Sequence, residues 1–566
     1  MAWKKRGAEK TIEEVFLRNI GAKSLNDINM WFKKSYNHEY CVDMMKEAAS
    51  FAKTFKDKRV TIVGDYDGDG VTSTAILYLG LKRAGFIDVR YRIPKRFSEG
   101  YGISSNIIDE IECGLVITCD NGISQIEAIS KAKDKGLSVI IIDHHLPLVI
   151  DGNTTLPPAD FIIDPNAIPD SADFNGYCGA GLSYKFIQEM LDYDNFHYLL
   201  LGFACIGTIT DVMELREENY VFVRNGLNKL TDARFCTSGL YALISACNLT
   251  KYIQASDIGF KIGPTLNAAS RMSDEGAMEA VKLLTYNGPY PEAVRMAERL
   301  LSVNEDRKSA KKEALKRAHE VIDEECLYGE IPLVVYVPGI SEGIIGIIAG
   351  NLCEEYNVPT IVLSDSEDGC LKGSARSCGN YNIKDELDKC SSLLLKYGGH
   401  SGAAGLSLFP EKLAEFKNAL QINSTGFSTE AGRDLYYDIE ISANELPKVV
   451  ESLHKFAPFG EGNEDIVFKV NNFSVVPRYG AYKKLLGADE SIIKMYSADA
   501  VAIGFDMASR FDKIEQPKNL NLIGTLSVNY FNGSCDNQIE FVDFENVEKS
   551  YIETPLAKKL ALMART

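Results

Sequence analysis

Four short apolar runs between about residues 58 and 165, VTIVGD, LVITCD, VIIIDHH and FIIDPN, restrict the possible folds of this chain more than any other feature in it. Each is rich in valine and isoleucine, each leads into an acidic or glycine-containing turn, and a helix-like stretch follows. Strands alternating with helical stretches read as a parallel sheet covered by helices on both faces. Ligand sites in such sheets lie outside the carboxyl ends of the strands, and here every run ends in aspartate at that end. Carboxylates are therefore expected to gather along one rim.

The 566 residues exceed one core, and three or four domains are expected at roughly 100 to 200 residues each. Residues 291–325 lack glycine and carry Met296, Leu300 and Val303 at helical spacing, which predicts a connecting helix of up to ~50 Å at about 1.5 Å per residue. Beyond it PLVVYVP, the apolar stretch from Ile344 to Ala349 and PTIVLS restart the strand and helix alternation as far as KYGGHSGAAGLSL. From about 432 onward LYYDIEI, IVFKVNNF, AVAIGF, NLIGTLSVNYF and NQIEFVDFE read as strands divided by turns, which fits a small barrel. The expected divisions are an N-terminal helical segment 1–57, a parallel-sheet α/β domain 58–290, the connecting helix 291–326, a second α/β domain 327–431, a β-barrel 432–547 and a helical tail 548–566.

A formal net charge of −18 argues against tight nonspecific binding to nucleic acid, because phosphate contacts need cations. Basic patches do occur at KDKR (Lys56 to Arg59), YRIPKR (Arg92, Lys95, Arg96) and RKSAKK (Arg307 to Lys312), each read alone as a solvated face. The thirteen cysteines show no CxxC pair or zinc-like spacing and read as reduced thiols. No apolar run approaches the ~20 residues of a membrane span, and the start MAWKKRGAEKTIEEVF lacks the apolar segment of a secretory signal, so no membrane association and a cytoplasmic location are expected.

The stretch VGDYDGDGVTS, Val63 to Ser73, packs three aspartates into five positions behind the first apolar run. An EF-hand loop begins this way, but its twelfth position should be glutamate and is Ile76 here, and the loop follows a strand rather than a helix. In isolation the segment also reads as a solvated turn. Downstream, Asp120 ends LVITCD, Asp143, His144 and His145 end VIIIDHH, and Asp211 sits in GTITDVMEL. Two cations ~3.5 to 4 Å apart need several oxygen ligands and a bridging carboxylate, and imidazole favours manganese over calcium. This chain supplies such a set.

The order DYDGDG, CDNG, DHH, TDVMEL resembles the DHH phosphoesterase superfamily. The further segments IPKRFSEGYGIS, YCGAGLSYKF, IGPTLNAASRM, KGSARS, GGHSGAAGLSL and APFGEGN resemble its RecJ-like single-strand-specific exonucleases. The match spans about residues 60 to 463, and the β-rich region to about 545 is similar to the family's OB-fold domain. The resemblance implies a DHH domain and a DHH-associated domain joined by a long helix, followed by an OB-like barrel. It implies two divalent cations, Mn2+ or Mg2+, with Asp67 and Asp69 ligating them separately, Asp120 bridging, and His144 and Asp211 completing the second site. Asp65 would ligate or position a water, Asp143 would fix the imidazole tautomer, and His145 would face the scissile phosphate. Arg271 is the implied phosphate clamp, and Arg376, Gly398, Gly399 and His400 are implied substrate contacts in the second domain. Many relatives carry histidine where this chain has Val63, and Trp-His-Pro-Gly where it has ISEG, Ile340 to Gly343.

The resemblance thus implies a 5′→3′ exonuclease that hydrolyses single-stranded DNA to mononucleotides, a water acidified between two cations attacking phosphorus in line. Tyr496, Tyr530 and Phe531 are aromatics available for stacking in the barrel. A monomer is expected, with a single-strand-binding protein or helicase as a possible partner. Two rivals remain at this point: a phosphodiesterase for short oligonucleotides or cyclic dinucleotides, and a non-catalytic replication scaffold.

Overall fold

The computed structural model describes residues 2–547 apart from 38, 151, 250, 367, 425–433, 479, 488–489, 512–513, 515 and 532–533; the expected helical tail lies outside the described residues. The four apolar runs form strands Arg59–Gly64, Leu115–Cys119, Ser138–Ile142 and Phe161–Ile163. With Asp88–Arg92 beside the first of them they make a five-stranded, all-parallel sheet in the order 88–92, 59–64, 115–119, 138–142, 161–163. Leu115–Cys119 is buried along its whole length. A central parallel strand is covered on both faces, which explains why its sequence is continuously apolar rather than alternating.

Helix Gly68–Arg83 packs against helices Gly179–Gln188 and Asn195–Thr210. All three turn buried residues to one core, which includes Val71, Ala75, Leu182, Phe186, Phe203 and Ile206. The connecting helix runs from Tyr290 to Glu324, ~52 Å at about 1.5 Å per residue. Its first half buries Ala293, Ala297 and Leu300 in this core, and its last part buries Ala314, Ala318 and Ile322 in the core of the second α/β domain. One rigid element is thereby anchored at both ends.

The second sheet has the order Lys396–Gly399, Ala403–Leu408, Leu371–Arg376, Thr360–Asp365, Leu333–Tyr336, and only its last pair is parallel. The third is a seven-stranded mixed sheet in the C-terminal region. It includes two short strands, Lys484–Leu486 and Ile492–Tyr496, that the sequence reading did not single out. Among the described residues no helix is long and apolar enough to cross a membrane. None of the thirteen cysteines is in a disulfide.

The N-terminal stretch has no core of its own. Trp3–Lys5 pairs in parallel with Leu435–Tyr437, and the Trp3 indole donates to Asp543 Oδ2 at 2.7 Å. Ile12, Val15, Phe16 and Ile28 belong to the C-terminal core, whereas Met45, Ala48, Ala49 and Ala52 belong to that of the first domain. Phe16 is fully buried, with ring centroids 5.5 Å from Trp31 and 4.7 Å from Phe456. Phe16→Ala is expected to lower stability by about 3–5 kcal/mol, read by urea titration of the full chain. A loss below about 1 kcal/mol would contradict this packing.

Candidate metal centre

The loop after the first strand is organised by its own aspartates. Asp67 caps helix Gly68–Arg83, its Oδ1 accepting from Asp69 N at 3.0 Å and Gly70 N at 3.1 Å. Gly70 is required by close approach, since a Cβ there would stand 2.4 Å from Asp65 O. Asn267 Oδ1 accepts from Gly68 N at 2.7 Å and ties the loop to helix Gly263–Met272. Asp69 is held from the other side by the first turn of helix Gly179–Gln188, where Gly179 N donates to Oδ2 at 2.7 Å and Ala180 N to Oδ1 at 2.9 Å. Free N–H groups at a helix start favour an anion. This explains YCGAG: Cys178 Sγ caps the helix, and a Cβ on Gly179 would meet Asp120 Cβ at 2.7 Å.

Asp120 and the DHH triplet close the site. Asp120 ends its strand in the left-handed region, φ 60°, and its Oδ1 lies 3.0 Å from His144 Nε2. The same imidazole nitrogen is 3.6 Å from Asp211 and 3.8 Å from Asp69. Asp211 caps the C-terminus of helix Asn195–Thr210. Asp65, Asp67 and Asp120 each place an oxygen within 4.8 Å of the others, as do the ligand atoms of Asp69, His144 and Asp211, and those of Asp120, His144 and His145. Asp120 and His144 thus join two neighbouring ligand groups.

Asp143 is turned to the second histidine. Its Oδ1 accepts from His144 N and from His145 Nδ1, both at 2.8 Å, and its Oδ2 accepts from Ile123 N at 3.0 Å. The imidazole it orients is that of His145 rather than His144. The Tyr101 hydroxyl lies 3.2 Å from His145 Nδ1 and donates to Asp120 O at 3.1 Å.

Burial drives the titration of this site. It pushes the carboxyls of Asp65, Asp69 and Asp120 up, and neighbouring aspartates add to it. Asp211 is pushed up to about 8 by burial and by Asp69 and Asp67. His144 is lowered, chiefly by burial, which keeps it neutral as a ligand must be. Burial works against a charged His145, yet the Asp143 bond and charge raise it to about 9. The charged form of that ring is thereby favoured by its bond to Asp143. Asp143 is lowered despite its burial because His145 bonds to it.

The donor set fits divalent cations. Several buried carboxylates face one another, and Asp65 Oδ1 has no hydrogen-bond partner. Such groups are stable together only when protonated or when positive charge is supplied. Val63 is fully buried in an apolar cluster with Ile103 and Ile107, so the first group consists of carboxylates alone. The fourth aspartate of the repeated pattern does not join: Asp164 accepts from Asn166 N and Ala167 N and organises a turn at the sheet edge.

Cations line the approach. Arg271 Nη1 donates to Gly343 O at 3.1 Å, bridging the two α/β domains, and its guanidinium is pushed down to about 10 by burial and by the charges of Arg96 and Arg307. Arg96 lies over the Tyr66 ring at 4.7 Å. YRIPKR and RKSAKK, read above as solvated faces, therefore send Arg96 and Arg307 toward Arg271. Arg376 is partly buried, with Nη1 donating to Ser374 Oγ at 2.9 Å, and it adjoins helix Glu342–Tyr356 at Gly346. Within ISEG, Glu342 pairs with Lys372 at 2.8 Å. Gly398 and Gly399 lie on the edge strand of the second sheet, where Gly399 has φ 145°, and His400 Nδ1 accepts from Gly402 N at 3.2 Å. Among the described residues no hydrogen bond or ion pair links Gly398, Gly399 or His400 to the carboxylates. Tyr66, Arg96, Tyr101 and Asn267 were given no catalytic role from sequence; Tyr66 lies within DYDGDG, and the other three lie in the segments IPKRFSEGYG and GPTLNAAS.

Three family models match this chain: the DHH family N-terminal domain over residues 59–208, the DHHA1 domain over 331–422 and the RecJ OB domain over 437–543. A curated relative from Haemophilus influenzae, named single-stranded-DNA-specific exonuclease RecJ, is 31% identical over 545 residues, covering 90% of each chain. The chain belongs to the RecJ family. The RecJ fold extends through its length: the Mn2+ complex of RecJ from Thermus thermophilus superposes with a TM-score of 0.74 at 24% identity, covering 96% of this chain and 79% of that one. A second solved RecJ, described as an exonuclease bound to manganese, is 29% identical with a TM-score of 0.59, covering 69% of this chain and 96% of that one.

Proposed function

We propose that this RecJ-family chain is a metal-dependent 5′→3′ exonuclease that hydrolyses single-stranded DNA to 5′-mononucleotides. The observation that carries the reading is the junction of two ligand groups at Asp120 and His144, with the Arg271 cluster alongside. Asp65, Asp67 and Asp120 would hold one divalent cation, Mn2+ or Mg2+, and Asp69, His144 and Asp211 a second, with Asp120 between them. A bound pair supplies an acidified water and charge neutralisation on phosphoryl oxygens.

The chain's own groups do the rest. His145, charged and oriented by Asp143, presents Nε2–H to a phosphate oxygen, and Tyr101 steadies that ring. Arg271 offers a planar fork of donors to a backbone phosphate. Arg376, with the open backbone at Gly398 and Gly399 and the His400 imidazole, would meet the terminal nucleotide. In the barrel, Tyr496 has Arg478 at 4.2 Å and Lys494 at 5.4 Å from its ring, a pairing suited to a stacked base beside a phosphate. The side chains of Tyr530 and Phe531 lie outside the described residues. A monomer working in the cytoplasm beside a single-strand-binding protein or helicase completes the reading.

A degenerate scaffold would have lost several ligands, whereas this chain keeps Asp67, Asp69, Asp120, His144 and Asp211. A phosphodiesterase for dinucleotides has no use for a barrel. The test compares 5′-labelled and 3′-labelled single strands of 40 nucleotides with Mn2+, Mg2+ or chelator. A labelled mononucleotide is expected at once from the 5′-labelled strand, and a shrinking ladder from the 3′-labelled one. The reverse pattern, or equal turnover of a dinucleotide and a 40-mer, would overturn the assignment.

A further inference from the structure

Helix Asn195–Thr210 ends in an unusual way. Val212 N donates to Ile209 O at 3.2 Å and Met213 N to Thr208 O at 3.0 Å, the paired bonds of a Schellman ending. The residue at its left-handed position is normally glycine, yet here it is Val212, with φ 55°. A β-branched residue there is strained. Nothing is gained in packing, because Val212 is 66% exposed.

A second irregularity faces the same space. Residues Ile258–Ile262 form a single π-helical turn directly before helix Gly263–Met272, and Phe260 projects from it, 82% exposed. Single π turns recur at functional sites. Val212 and Phe260 both line a groove of about 370 Å3, with Met213 and Phe459, that opens between the first domain and the segment leading into the barrel. The groove begins at the metal centre: Val212 follows Asp211, and the lining residue Asn267 holds the loop of Asp67 and Asp69.

We propose that Phe260 and Val212 form a stacking site for nucleobases of the single strand just outside the metal centre, on the barrel side. The inference deepens the exonuclease reading and rests on it. Two exposed apolar surfaces beside a phosphodiester site match the faces of bases, which stack without regard to sequence. The barrel-side lip carries Glu461 and Asp465, whose carboxylates repel phosphates and accept hydrogen bonds from base amino groups. The sugar-phosphate backbone is thereby turned outward and the bases inward. Lys261, the cation next to Phe260, is paired with Asp257 at 2.7 Å and leaves the apolar face uncovered.

The experiment measures kcat and KM of the full chain with Mn2+ on a single-stranded 20-mer and on a dinucleotide whose second residue is abasic, which offers the groove no base. Phe260→Ala is expected to raise KM for the 20-mer about 10-fold, the loss of one stacked base, and to lower the 20-mer to dinucleotide ratio of kcat/KM by the same factor, with Phe260→Trp restoring it. Val212→Gly is expected to raise the thermal midpoint while also lowering that ratio, because it relieves strain and removes the stacking surface together. A wild-type 20-mer with abasic residues beyond its first nucleotide should lose affinity similarly and lose little more in Phe260→Ala. Equal losses on both substrates, no loss, or additive losses with the abasic strand would overturn the stacking site. Absence of 20-mer hydrolysis by the unaltered chain would instead overturn the exonuclease reading.

Discussion

Replacing Asp120 is expected to lower hydrolysis of a single-stranded oligonucleotide by at least ~10³-fold, the loss of several kcal/mol of transition-state stabilisation. The residue belongs to the Asp65 group and reaches the His144 group at 3.0 Å, so its removal disrupts both. Stability should move the other way. Without metal its carboxyl is held well up by burial and by Asp69, Asp67, Asp65 and Asp211, and removing it relieves that crowding. Asp120→Asn is the cleaner variant, because asparagine tolerates the left-handed φ of 60°, whereas alanine there costs roughly 1–2 kcal/mol. Expected are an inactive Asp120→Asn chain at least as stable as the parent in chelator, with a smaller stabilisation by Mn2+. Retained Mn2+-dependent cleavage would remove Asp120 from the centre, and unfolding would make its role structural.

Metal removal should produce the second large effect, and its size should depend on pH. Asp211 is pushed up to about 8, and Asp164 to about 7, by burial first and by neighbouring aspartates second. Both hold a proton in the folded chain that an unfolded aspartate, near 3.9, has already lost. Their protonation therefore supports the metal-free fold at low pH, and that support is lost as pH rises toward 7 and 8. Each pH unit in that window costs about 1.4 kcal/mol per group. His145, raised to about 9, adds a loss in the same direction between its unfolded value and pH 9. His144, which is lowered, works oppositely and gains as pH rises through about 6.5. In chelator the chain should melt lower at pH 8 than at pH 6. Mg2+ should raise the midpoint more at pH 8, where protons no longer compete for the carboxylates. Hydrolysis should vanish in chelator at both values. An equal Mg2+ shift at the two pH values would mean that Asp211 is not among the carboxyls that take the ion.

The carboxylates of the centre were legible because their placement is local. An apolar run with aspartate after it puts that aspartate at the carboxyl end of a strand, and parallel strands put those ends on one rim. The turn chemistry of DYDGDG is equally local, since Asp67 caps the helix that it precedes and Gly70 allows the chain to return to Asp65. Local pattern could not say which aspartates would take part. FIIDPN looks like its three predecessors, yet its strand is the outermost of the sheet, next to 138–142, and Asp164 stands beside Asp143 rather than among the ligands.

What the amino-acid order determined alone is thus the alternation of elements, the 35-residue helix between two cores and the acidic rim. Tertiary structure decided the rest. It brought Arg96 and Arg307, far apart in sequence and each ordinary in its own segment, to the same guanidinium of Arg271. It laid Trp3–Lys5 beside Leu435–Tyr437, and it bared Phe260 and Val212 to one groove. Hydrophobic period and turn residues act within a few positions of the chain, whereas charge convergence and exposed apolar faces depend on which elements the packed cores set side by side, and that order is written in no single segment.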